Sequence, residues 1–430
     1  MIIEIKAERP LINFLVLAVS LLIAALLGIL ALSNFIVGAM TDERVTAHPK
    51  AISAALNYLP SSAGLHYQLA RTEMTNEERD LAFAEIHAQR AVRLSPWNYN
   101  YCLLLAVIEE ARGDRLAAER ALRRAVSLAP NNHDVHWRLA NLLLREGNLT
   151  ESLEEFRVAN SINSSQLAST LNLVWQAFGD FNKVSAVTGD DAKSRLILAQ
   201  FLVGHSAFVE AARVFSSIDI NARLQSPQSG EIINSLIAAQ QLRTARQLWL
   251  ELVTAAAATA DSQAALLWNG GFESDPSKVF NQFDWRIGSS SYARVSITSD
   301  AARTGSRSLM IAFTGRDTTK LDGEFKQLIA TRAGASYRLE CFVKTDKLDT
   351  PEGPSIVIMD ATTSKVIASS APIASGSSDW QPLAFEFTTP EDARLLTITI
   401  KRTPKFSYDD PTRGTIWLDD FSLTEKGAKR

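Results

Sequence analysis

The residues of this 430-residue chain best equipped for chemistry lie near its C-terminus, in Tyr337–Lys344. Side chains alternate across a strand. Tyr337, Leu339, Cys341 and Val343 therefore share one face, a core face, and Arg338, Glu340, Phe342 and Lys344 share the other. By the same rule Leu396, Ile398 and Ile400 are expected to be buried opposite Thr397, Thr399 and Lys401, and Phe385 and Phe387 opposite Glu386. The outward set is polar, charged in both signs, and carries one aromatic ring. A sugar needs such a surface: its C–H face stacks on a ring and its hydroxyls pair with charged and amide groups. Candidate carbohydrate-binding residues are Arg338, Glu340, Phe342, Glu386, Lys401 and Tyr408, the last beside Phe406 in the Pro404–Pro411 loop. The same set can equally form an ordinary solvated sheet face, and the sequence leaves both readings open.

Catalytic patterns are missing. There is no Gly-rich phosphate loop, HExxH or GxSxG, and no paired His/Cys cluster. Asp409-Asp410 and Asp419-Asp420 are neighbours in sequence and point to opposite faces of a strand, whereas glycoside hydrolysis needs carboxylates converging from separate elements. The expectation is a non-enzyme with no catalytic residue and no required cofactor. His133 and His136 stand three apart without a carboxylate or cysteine in ligand spacing, so no metal site is expected there. Arg120, Arg123 and Arg124, interleaved with Glu119, read as a solvated helix face. Cys102 and Cys341 fall in a helical and a strand-like segment, which is neither a disulfide framework nor a metal spacing. A net charge of -3 without a basic block argues against a nucleic-acid partner.

The elements that must position these residues come in two rhythms. From about residue 265 the chain alternates with a period of two between Gly, Ser, Asp and Pro clusters. Expected strands are 292–298, 308–314, 324–330, 337–344, 355–360, 381–388, 395–402 and 415–423, which together argue for an all-β sandwich. Its motifs follow in order: Trp268-Asn-Gly-Gly-Phe-Glu273, Trp285, Thr304-Gly-Ser-Arg-Ser-Leu309, the Gly334–Lys344 stretch, Asp379-Trp380, and Gly414-Thr-Ile-Trp-Leu-Asp-Asp-Phe-Ser-Leu423. This series resembles the galactose-binding-like jelly rolls, in particular the carbohydrate-binding modules attached to xylanases and related glucanases, over about residues 265–425. The resemblance implies a polysaccharide ligand and structural roles for Trp285 and Trp380. It also implies a structural calcium ion where the first and last strands meet, with Glu273 and Asp420 at the acidic positions.

Between residues 45 and 258 the chain repeats. Pro96 and Pro130 are 34 residues apart, with Ser164 in the next equivalent place, and Gly113 with Gly147 and Ala106 with Ala140 keep that spacing. The best units are 61–96, 97–130 and 131–164; 165–258 reads as degenerate repeats. A two-residue insertion is expected in the Thr75–Glu78 turn of the first unit. Glycine in the turns supplies the left-handed conformation that ends a helix. The period and the helix–turn–helix unit resemble the tetratricopeptide repeat (TPR). That resemblance implies a concave surface for a protein partner; a rigid spacer is the other reading. Trp97, Trp137, Trp175 and Trp249 are expected as core anchors.

Residues 11–33 are apolar apart from Asn13, Ser20 and Ser33, and long enough for a bilayer-spanning helix. They read as a signal anchor behind a short cytoplasmic tail, 1–10, with a cleaved signal peptide as the rival. Lys6 and Arg9 before the span, against Arg44 and Lys50 after it, leave the charge bias near balance. The expected whole is multi-domain: a transmembrane helix, an all-α TPR-like solenoid, and an all-β jelly-roll sandwich. The expected location is the bacterial inner membrane, with the two large domains in the periplasm or outside the cell. The expected function is a membrane-anchored binding scaffold of the cell envelope. Its repeats would hold a protein and its sandwich a glycan, in polysaccharide assembly. A protein–protein platform without glycan binding and an unrecognised glycan-active enzyme are the alternatives.

Overall fold

The computed structural model describes residues 10–41, 49–76, 80–257 and 265–427. Residues 1–9 of the expected cytoplasmic tail, with Lys6 and Arg9, together with Arg44 and half of the expected 75–78 insertion, lie outside them. The chain divides into two compact units, Met1–Gly189 and Asp190–Arg430.

The first unit opens with α1 (Pro10–Thr41), one continuous helix. Its described side chains from Phe14 to Ile29 are all exposed. Among the described residues no helix is long and apolar enough to cross a membrane. After α2 (Pro49–Tyr58) come three helical hairpins: α3 (Ala63–Thr75) with α4 (Leu81–Leu94), α5 (Tyr99–Arg112) with α6 (Arg115–Leu128), and α7 (His133–Glu146) with α8 (Leu149–Ile162). A short 3₁₀ turn, α9 (Leu167–Phe178) and α10 (Phe181–Ala186) complete the unit.

The hairpins are built by repetition. Gly113 and Gly147 end α5 and α7 at φ 86° and 81°, where a side chain would strain the backbone. The next residue starts the return helix, and Asp114 accepts the Ala117 N–H at 2.9 Å. Small residues let the helices close on one another: Ala70, Ala106 and Ala140 are buried, as are Ala118, Ala121 and Ala125. The turn proline carries a further device. His136, six residues after Pro130, bonds the Pro130 carbonyl at 2.8 Å and Glu155 of α8 at 2.5 Å. His66, six after Pro60, bonds the Pro60 carbonyl at 3.1 Å and His87 of α4 at 2.8 Å. Trp97 does not anchor the core as expected. It follows Pro96 in the turn between α4 and α5 and is 82% exposed. Trp137 and Trp175 are half-buried.

The second unit begins with α11 (Ala192–Gly204), α12 (Phe208–Ser216), α13 (Ile220–Gln225), α14 (Pro227–Ala238) and α15 (Leu242–Ala257). Ten antiparallel strands follow: β1 (Arg286–Ile287), β2 (Ala293–Thr298), β3 (Ser308–Thr314), β4 (Leu321–Ala330), β5 (Ser336–Asp349), β6 (Ser355–Asp360), β7 (Val366–Ser369), β8 (Gly376–Thr388), β9 (Leu395–Arg402) and β10 (Arg413–Glu425). They form a front sheet, β2-β3-β10-β5-β8, and a back sheet, β1-β4-β9-β6-β7. One core lies between them, including Leu339 and Cys341 from β5, Ile398 from β9 and Ile416 from β10. At one end Trp285 stacks on Phe325 with ring centres 4.4 Å apart, and Phe421 meets Trp285 edge-on at 5.3 Å.

The Asn269-Gly-Gly motif is structural. The Asn269 carbonyl accepts the Trp285 indole N–H at 2.9 Å, and the Gly270 carbonyl accepts the Phe421 N–H at 2.9 Å. A Cβ on Gly270 would stand 2.0 Å from the Phe421 carbonyl oxygen, so no other residue fits. The α11–α15 helices belong to this unit. The α15 Trp249 is fully buried, donates to the Phe280 carbonyl at 2.9 Å and packs edge-on against Trp268.

Candidate functional site

The outward face of the front sheet is set by the β5 alternation, with Tyr337, Leu339, Cys341 and Val343 buried. Strand register places Glu386 and Thr424 on either side of Arg338, Ala384 and Ser422 beside Glu340, and Pro382 and Asp419 beside Phe342. Arg338 lies 3.6 Å from Glu340 and 3.9 Å from Glu386, and Lys426 reaches the other oxygen of Glu386 at 2.5 Å. Further along β5, Lys344 is paired with Asp379 at 2.8 Å. The face therefore holds hydrogen-bonding groups of both signs on two rigid neighbouring strands.

Two residues beyond the expected set complete it. Trp417 of β10 pairs in register with Lys344 of β5 and Met310 of β3, between the buried Ile416 and Leu418. It is half-buried, and its indole N–H is enclosed without a partner. Period-two reading of Ile416–Leu418 would have placed it on this face. Arg303, from the β2–β3 connection, lays its guanidinium 3.3 Å from the centre of the Phe342 ring and bonds Asp420 at 2.6 Å. No local sequence signal marks Arg303, which meets Phe342 only through the fold.

The structure separates two of the expected residues from the others. Lys401 is on β9, in the back sheet, so it faces away from Arg338 across the sandwich. It pairs with Asp322 at 2.8 Å in a small cleft of about 220 Å³ that includes Lys326, Met359 and Asp360. Its neighbour Thr399, expected outward, is enclosed and donates to the Phe325 carbonyl at 2.7 Å. Tyr408 is 76% exposed on the β9–β10 loop, off both sheet faces. That loop is tied down by Asp410, which accepts the Phe406 N–H at 2.7 Å and is paired with the fully buried Arg402.

Glu273 and Asp420 come to the same short loop, 303–307, as the expected calcium site would require. Their oxygens are already in use there. Glu273 accepts the Ser306 N–H and hydroxyl, both at 2.9 Å, and the Arg307 N–H at 3.0 Å. These donors hold its carboxyl below the ordinary range against the opposing pull of burial. Asp420 takes the Thr304 hydroxyl at 2.5 Å and the Arg303 guanidinium. The adjacent Asp419 is buried, and burial raises its carboxyl to about 6. Among the described residues no group of three or more His, Cys, Asp or Glu could hold a metal ion. As arranged, the donor set does not fit calcium: the Arg303 guanidinium and the loop N–H and hydroxyl groups already engage the Asp420 and Glu273 oxygens.

In the first unit, a cavity of about 380 Å³ opens between α4, α5 and α6. Val92, Cys102 and Leu105 line it with Arg93, Arg120 and Arg124. Arg120 and Arg124 thus rim a concavity, whereas Arg123 pairs with Glu119 and Glu151. Beside it, burial and the nearby Glu85 raise the Glu109 carboxyl.

No family model matches the chain, and no curated protein does. Among solved structures it is similar to one titled "CBM4 structure and function", at 19% identity over 37% of this chain and 99% of that one, with a TM-score of 0.27. A structure titled "Family 16 Carbohydrate Binding Module-2" is similar at 17% identity, over 37% of this chain and 99% of that one, with a TM-score of 0.25. A structure titled "Crystal structure of MamA protein" is similar at 15% identity, over 48% of this chain and 94% of that one, with a TM-score of 0.30.

Proposed function

We propose that this chain is a non-catalytic binding scaffold whose sandwich holds a glycan on its front-sheet face and whose helical hairpins hold a protein partner. The observation that carries the glycan reading is the meeting of Phe342 and Trp417 on one outward face with Arg338, Glu340 and Lys344. Aromatic faces for C–H stacking and fixed charges for hydroxyls are what sugar recognition requires. The hairpin cavity with its apolar floor and arginine rim supports the protein half. The exposed apolar side chains of α1 support a membrane anchor, with both large units on the far side in a cell envelope.

The test is affinity electrophoresis of the full chain against a panel of polysaccharides. Phe342→Ala and Trp417→Ala are each expected to weaken retention about tenfold, from the loss of a stacking partner. Failure of the unaltered chain to bind any polysaccharide would defeat the glycan half.

One observation favours a second reading, a purely structural platform. Arg303 already covers one face of Phe342 at 3.3 Å, and the charges beside it are paired among themselves. On that reading Arg303→Ala lowers stability and uncovers no sugar affinity.

A further inference from the structure

We propose that the cavity between α15 and the β4–β5 turn is an anion-binding site for a ligand carrying a carboxylate or phosphate group, with Arg246 at its base. The cavity measures about 740 Å³, the size of a small-molecule pocket. Leu250, Leu266, Ala330 and Tyr337 give it apolar walls. Arg243 and Arg246 enter from one face of α15, three residues apart, and Arg332 enters from the β4–β5 turn. A second cavity of about 450 Å³ shares Arg243 and Arg332 and adds Arg394.

Three guanidinium groups thus line the larger cavity, with Arg394 in the smaller one beside it, and the carboxylates of the larger cavity are already committed. Glu425 is paired with Arg332, and Glu251 with Arg223 at 2.7 Å. Arg246 has no acidic partner among the described residues. Its Nη2 donates to the Ala265 carbonyl, while its Nη1 is enclosed with no partner at all. An enclosed cation without an anion is costly. Burial lowers the Arg246 guanidinium to about 10, which leaves it charged at neutral pH. A carboxylate or phosphate in the cavity would supply the missing charge, and Nη1, enclosed as it stands, would gain an acceptor by turning toward it. This site is separate from the front-sheet face, and neither reading depends on the other.

The experiment is calorimetric titration of the full chain with sodium phosphate and with sodium galacturonate, at an ionic strength held constant with NaCl, alongside the melting temperature. At least one of the two is expected to bind and to raise the melting temperature. Binding should fall about tenfold or more in Arg246→Met, where a charge-assisted pair is lost. The same variant without ligand should melt no lower than the unaltered chain, because methionine fills the space without an unpaired charge. If Arg246→Met does not fold, the exposed Arg243→Gln provides the comparison. Preference for phosphate or for galacturonate tells the two sources apart, and either upholds the site. Binding of neither anion, equal binding by the unaltered chain and the variants, or an equal rise with NaCl alone overturns it.

Discussion

Two arginines of the second unit, Arg402 fully enclosed and Arg246 half-buried, are treated in opposite ways. Arg402 is fully enclosed and fully used. It is paired with the equally enclosed Asp410, and donates to the Thr319 carbonyl at 2.5 Å and the Glu352 carbonyl at 3.3 Å. Arg246 reaches one carbonyl and leaves an enclosed nitrogen with no acceptor. The first arrangement is closed and holds a loop in place. The second is open and has the character of a site. Burial alone does not separate structure from function; the accounting of donors does.

The largest effect that would break this contrast is on the closed pair. Arg402→Met leaves the Asp410 carboxylate buried without its cation and should cost about 3–5 kcal/mol in urea denaturation of the full chain. Adding Asp410→Leu should restore much of that loss. A single-variant cost below about 1 kcal/mol would remove the distinction.

The contrast extends to the acids. Asp284 is buried like Asp410 but has only N–H donors, from Ser277 at 2.8 Å and Trp285 at 2.7 Å. Burial raises its carboxyl to about 6, above the ordinary ~3.9. A raised carboxyl keeps its proton longer in the folded chain. Its contribution is therefore most favourable below about pH 4 and is lost as pH rises through about 6. Measured against Asp284→Asn, the unaltered chain should gain about 1–3 kcal/mol in relative stability between pH 7 and pH 4. A flat difference across that range would place Asp284 in the closed class. Smaller again, Arg246→Met without ligand should change stability by less than about 1 kcal/mol, or raise it. A loss near that of Arg402→Met would show Arg246 to be another staple. The smallest effect is expected at Glu273 and Asp420, whose oxygens already accept from loop donors. Excess chelator should leave the melting temperature within about 1 °C, and a clear drop would reclassify them as ligands of an ion.

The pairing of residues also explains what could be read in advance. Pro96 and Pro130, Gly113 and Gly147 are local signals of local geometry, and the hairpins follow from them. The buried faces of β5 and β9 follow from period-two alternation. Alternation states which side of its own sheet a residue takes, but not which sheet. Lys401 and Arg338 both point outward, but strand order puts them on opposite sides of the sandwich. Arg303 reaches Phe342 from a loop, and Arg402 meets its acid inside the core; neither contact has a short-range signature. Trp97 shows the reverse failure. A large apolar residue beside a repeat proline suggests burial, but the turn leaves this ring exposed.

The indole of Trp249 has a practical consequence. Because this α15 ring is enclosed against Trp268 and bonded to the Phe280 carbonyl, the β-sandwich is not a cassette that can be lifted out at residue 265. A gene cut there would express a sandwich with its end cover removed and apolar rings bare to solvent. Recombination that preserves a working protein would have to carry α15 along.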